Sequence, residues 1–171
     1  MNPATFLSLK IERAVTVSTY TPLLLNVINN LHSAPPHQKS IAQHAADKII
    51  DLALWSVTEI SNTADYKYLN QRYISEGTYN FWQKLQASGI TKKAAYTKDL
   101  RHEHVIPRLF LSNQLMTATN ESGIAAILNT SIACIVTKEE DKKLSRNGSG
   151  WSRYQLAGIR VFDRKIQKFI V

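Results

Sequence analysis

The chain has 171 residues, one cysteine (Cys134) and a formal net charge of +8, with a sequence pI ≈ 9.6. That length allows one domain or two small ones with a proper hydrophobic core, and a single thiol excludes both a disulfide framework and a four-cysteine zinc site. No apolar run reaches the roughly 18 residues of a membrane span, and no signal-peptide pattern opens the chain, so a cytoplasmic protein without a membrane partner is expected.

The charge is unevenly placed. Residues 1–90 carry 7 Lys and Arg against 6 Asp and Glu, whereas residues 91–171 carry 14 against 7. A polyanionic partner therefore points to the C-terminal half, although a solvated basic surface gives the same count.

In chain order, the first 90 residues read as helices. Leu23, Leu24, Val27, Ile28 and Leu31 follow a helical spacing that ends before Ser33-Ala34-Pro35-Pro36. Ile41, Ala45, Ile49, Leu52 and Ala53 predict one face of a second helix, widened by Ile50, Leu54 and Val57. Phe81, Trp82 and Leu85 suggest a third, closed by Ser88-Gly89-Ile90, where Gly89 can take the left-handed conformation that ends helices. Tyr66, Tyr68, Tyr73 and Tyr79 could stack on bases, although tyrosines at helical spacing more often line a core.

Thr91 to Arg101 is polar and basic, as expected of a loop. Val105 and Ile106 permit a short strand stopped by Pro107. Leu109 to Met116 and Ile124 to Leu128 look like short helices, and Ile132 to Val136 is the strongest strand signal in the chain. Thr137-Lys138-Glu139-Glu140 is a capping box that starts a helix. Asn147-Gly148-Ser149-Gly150 is a turn, and Arg160-Val161-Phe162 alternates like a last strand. The expected architecture is α+β, with residues 1–90 a helical part and residues 91–171 a basic unit with a C-terminal tail.

Chemistry concentrates at His102-Glu103-His104-Val105-Ile106-Pro107. Imidazole and carboxylate oxygens suit Mg²⁺, Mn²⁺ or another borderline cation, which would polarise a phosphate while a neutral histidine takes a proton from water. Asp141 is the favoured acidic residue of the following helix because it shares a face with Leu144, and Glu140 stands beside it. His102 and His104, two apart on a strand, would point to one side and could chelate a metal directly, leaving Glu103 turned away. Arg101 and Arg108 flank the motif and could each fork onto a phosphate. Lys142, Lys143 and Arg153 extend the same basic surface, with a packing anchor the alternative role for the Trp151 to Tyr154 stretch.

Glu103-His104-Val105-Ile106-Pro107 resembles the Asp/Glu-His-aliphatic-aliphatic-Pro signature that opens the HNH, or ββα-metal, nuclease motif. The resemblance covers about residues 101–146. It implies a C-terminal ββα-metal-like unit with an insertion between its strands, Glu103 as metal ligand, His104 as general base, and a helix ligand near Asp141 with Glu140 beside it. The Asn or His usual on the closing helix has no obvious counterpart.

The function expected on this reading is metal-dependent hydrolysis of nucleic-acid phosphodiester bonds, in DNA ahead of RNA, with Mg²⁺ or Mn²⁺. A non-catalytic nucleic-acid-binding or regulatory protein is one alternative. A small factor acting through a protein partner, on a larger enzyme or defence system, is the other.

Overall fold

A computed structural model describes residues 3–59, 68, 71–89 and 98–171, with side chains from residue 12 on. The chain is α+β and divides into two compact units that interleave in sequence. One comprises residues 7–60 and 108–132, the other residues 1–6, 61–107 and 133–171. The units thus do not follow a single cut near residue 90: the helices after the histidine motif belong with the first unit, and a strand and helix before it belong with the second. No described helix is long and apolar enough to cross a membrane.

The first unit is helical. Helix α1 (Pro3–Ser33) buries Val17, Thr21, Leu24, Ile28 and Leu31, a stripe at helical spacing, and carries Pro22 on its exposed side. After a short 3-10 turn (Pro36–Gln38) comes α2 (Lys39–Thr58), which buries Ala46, Ile50, Ala53, Leu54 and Val57. The face expected from Ile41, Ala45 and Leu52 is solvent-exposed instead. Two overlapping apolar stripes run along this helix, and only the one through Ile50, Leu54 and Val57 meets neighbouring helices.

Helices α4 (Arg108–Met116) and α5 (Glu121–Thr130) complete this unit, inserting Leu111, Leu115, Ile124 and Leu128. Arg13 ties the helix ends together. Its guanidinium donates to the carbonyls of Val57, Leu128, Asn129 and Ser131, so a positive charge sits where the last carbonyls of two helices converge.

The second unit is a five-stranded mixed sheet in the order β2-β3-β1-β4-β5. Its strands are β1 (Tyr73–Ser75), β2 (Leu100–His104), β3 (Ala133–Thr137), β4 (Val161–Asp163) and β5 (Lys168–Phe169). β1 lies parallel to β3, and all other pairs are antiparallel. The first strand of the motif therefore precedes its expected place. Val105 and Ile106 form a bend before Pro107, while Leu100, His102 and His104 alternate as buried residues with Arg101 and Glu103. Proline restricts the residue before it and donates no ladder hydrogen bond, so the strand ends ahead of it.

Helix α3 (Glu76–Ala87) begins at an Ser75 cap, whose hydroxyl accepts the Thr78 N–H, and ends at Ser88 with Gly89 at φ 64. Ile90 and Thr91 to Thr97 of the expected closing contact and loop lie outside the described residues, as does Tyr66. The helix after β3, α6 (Lys138–Asp141), is a single turn with the predicted capping box. A second short helix, α7 (Ser152–Leu156), follows the glycine turn.

Alternation gives the sheet two distinct faces. On one, Ile74, Leu100 and Ile135 form a core against Tyr68, Phe81, Trp82 and Phe162. The opposite face carries Tyr73, Glu103, Cys134 and Asp163 in register.

Candidate nucleic-acid interface

β2 and β3 pair from Leu100 with Thr137 to His104 with Ala133, which sets Glu103 opposite Cys134 and His102 opposite Ile135. His102 and His104 therefore share the face of the Leu100 core. They are 8% and 4% exposed, and their rings meet edge-on at 5.6 Å between centroids. Glu103 points to the other face. The sheet separates the expected base from the expected ligand, and the arrangement observed is the one with two histidines on one side and Glu103 turned away.

What Glu103 meets instead is Arg153. Nη2 of Arg153 donates to Oε1 of Glu103 at 2.9 Å, and the arginine side chain is 3% exposed. Nη1 donates to the carbonyls of His104 at 3.0 Å and Val105 at 3.3 Å, and Nε to that of Ser145 at 2.8 Å. One guanidinium thus holds the end of β2, the segment after α6 and the only carboxylate of β2.

The glycine turn makes room for it. A Cβ on Gly148 would stand 2.7 Å from Cγ of Arg153, and Gly150, at φ 71, donates its N–H to the Val105 carbonyl at 3.1 Å. These two glycines are required by close approach and by a left-handed backbone respectively. Beside the pair, Trp151 packs edge-on to Tyr73 and against Tyr154. Burial pushes the Cys134 thiol and the Tyr154 phenol well above their ordinary values, so both stay neutral and unreactive at neutral pH.

Glu140 is fully engaged as well. Its carboxylate accepts from the Thr137 N–H at 2.9 Å and hydroxyl at 3.0 Å, from the Ser75 hydroxyl at 2.5 Å, and from the Gly77 N–H at 3.2 Å. A capping residue for α6 thereby also clamps the C-terminal ends of two parallel strands, β1 and β3. Its charge is consumed by backbone and hydroxyl donors rather than left for a cation. The start of α3 at Ser75-Glu76-Gly77-Thr78 was the signal that this second anchor point existed.

A concavity of about 530 Å³ opens on the Glu103 face, lined by Glu103, Asp141, Lys142, Leu144, Arg146 and Arg153. Asp141 and Leu144 do share a face, as their spacing requires. Arg146, one of the many cations of the basic half, joins them here because the chain turns back after α6. Of the other basic candidates, Arg101 lies on the Glu103 face of β2 and donates to its neighbour's carbonyl. Lys143 is exposed, and Lys142 approaches Glu139 at 3.8 Å. Arg108 belongs to the helical unit, where it pairs with Asp51 and stacks over Trp55 at 4.6 Å.

The donor chemistry can be tested against a divalent cation. Mg²⁺ is commonly held by one or two carboxylates with phosphate oxygens supplying further ligands; of the acidic candidates, Glu103 and Asp141 line the concavity, and Glu103 already accepts from Arg153. His102 and His104, on the other face, and Glu140, occupied by four donors, fall outside it. Among the described residues, no three His, Cys, Asp or Glu side chains gather as a metal site. Comparison with family models, characterised proteins and solved structures returns no match.

Proposed function

We propose that this protein binds nucleic acid and that the concavity between β2 and α6 is its phosphodiester site. The observation that carries this reading is the meeting of Lys142, Arg146 and Arg153 in one polar concavity, against two carboxylates of which one is already paired. Arg153, itself buried, fixes the floor, while Lys142 and Arg146 supply exposed positive charge. Such a set suits a phosphate backbone, whose affinity comes from exchanging condensed counterions for Lys and Arg. The single buried thiol is in keeping with a cytoplasmic protein.

Metal-dependent hydrolysis of the bound phosphodiester is a second reading, favoured by Glu103 and Asp141 lining the same concavity and by the HNH-like pattern around them. A cation held by those two carboxylates would neutralise charge on the scissile phosphate. Arg153 would orient Glu103, and Asp141 would occupy the open side. His104, on the core face, has no part in either reading.

The experiment is binding and cleavage of labelled duplex and single-stranded DNA and of RNA, with Mg²⁺, Mn²⁺ or EDTA, by wild type, Arg146→Glu, Asp141→Asn and His104→Ala. Salt-sensitive binding that Arg146→Glu weakens supports the phosphodiester site. Cleavage lost with EDTA and in Asp141→Asn but kept in His104→Ala adds the hydrolytic reading. Absence of binding to every nucleic acid overturns both.

A further inference from the structure

The far edge of the sheet carries aromatic rings interleaved with cations. Phe162 of β4 meets Phe169 of β5 at 5.3 Å and Tyr79 of α3 at 5.7 Å between centroids, giving a row of three rings. The outer two are each 40% exposed. The guanidinium of Arg160 lies 3.9 Å over the Phe169 ring, and Lys165 and Lys168 stand exposed on the same hairpin. Glu76 pairs with Arg160 at 2.7 Å, and Asp163 is taken up by Arg72, so the hairpin keeps an excess of positive charge.

A row of rings that served packing alone would have no need to leave its outer two exposed with an arginine over one of them. Exposed rings within a positive field are what an unpaired base requires: a π-face to stack on and a cation beside its phosphate. A duplex offers its bases only at the ends and cannot use the row in this way.

We propose that Tyr79 and Phe169, with Arg160, form a stacking platform for single-stranded nucleic acid, separate from the β2–α6 concavity. This deepens the reading of the protein as nucleic-acid-binding, and rests on it, by naming the strand form preferred.

The test is fluorescence anisotropy in EDTA with a labelled oligo-dT, a duplex, and vesicles containing phosphatidylserine, comparing wild type, Tyr79→Ala, Tyr79→Phe, Phe169→Ala and Lys142→Glu. Because Phe169→Ala can loosen β5, photocrosslinking of a 5-bromouracil oligonucleotide to the wild type supplies an independent readout. The expected result is tighter binding of the single strand, weakened about fivefold or more by Tyr79→Ala and kept by Tyr79→Phe, with duplex binding unchanged. Crosslinks should map to the peptides bearing Tyr79 or Phe169. Equal affinity for both strand forms, unaltered in Tyr79→Ala and without such crosslinks, overturns the platform while leaving the phosphodiester site standing if Lys142→Glu still weakens binding. Binding to vesicles with no binding to any oligonucleotide overturns both proposals.

Discussion

Arg153 reaches across from α7 to pair with Glu103 on β2, donating from Nη2 to Oε1 at 2.9 Å while its other donors hold three main-chain carbonyls. The pair gives the single carboxylate of β2 its cationic partner. With the arginine almost wholly enclosed, removing it leaves a carboxylate and several carbonyls without their donor.

Arg153→Ala is therefore expected to destabilise the protein by about 3–5 kcal/mol, read as a lower urea midpoint at constant slope. Glu103→Gln keeps a hydrogen-bond acceptor at a position 25% exposed and should cost distinctly less. Equal losses would show that the guanidinium acts through the Glu103 charge alone and that its three carbonyl contacts add nothing.

The clamp around Glu140 gives a second test. A Cβ on Gly77 would fall 2.6 Å from Oε1 of Glu140, so Gly77→Ala must displace the carboxylate from its donors. A loss of about 1–3 kcal/mol is expected, similar to Glu140→Ala. The double variant should lose much less than the sum, because both changes break one network. Additive losses measured by denaturant titration would refute the coupling.

Acid sensitivity should come from Asp163. Burial alone would raise its carboxyl, but hydrogen bonds from Arg72 and the Lys165 N–H, with the guanidinium charge, hold it below the usual value. The same partner raises Arg72 despite some burial. A carboxyl depressed in the folded state contributes stability that is complete above its unfolded value, about 3.9, and is lost as pH falls through the lower folded value. Wild type should lose stability over that acid range, and Asp163→Asn should be weaker at neutral pH but flatter below about pH 4. Arg72 is 41% exposed, so added salt should shrink the difference.

Charge reversal at the concavity should be read through salt. Lys142→Glu and Arg146→Glu are expected to weaken binding of all nucleic acids alike, and removing each phosphate contact should reduce the slope of log affinity against log salt by about 1. Neither side chain is buried, so thermal stability should stay within about 0.5 kcal/mol of wild type. A loss confined to one sequence would contradict backbone recognition.

Local patterns carried much of this protein. The capping box at Thr137, the β3 strand, the terminating Gly89 and the short helices after Pro107 follow from side-chain periodicity and from backbone geometry acting within a few residues, and they appear where the sequence puts them. The α+β class and the concentration of positive charge after residue 90 were equally legible, since both depend only on composition and order.

Tertiary structure decided what pairs with what. Whether Ile41 or Ile50 faces inward on α2 depends on which neighbouring helix arrives. The short strands β1, held between β3 and β4, and β5, added at the edge beside β4, exist because neighbouring strands pair with them, not because three or two residues prefer to be extended. Glu103 was separated from His104 by the two-residue alternation of β2 once that strand proved to run from Leu100 to His104. Its bond to Arg153 spans 50 residues of chain and required the Gly148 and Gly150 turn. Sequence specifies residue types and local geometry; partners that distant are chosen only when packing and the burial of charge bring them to one place.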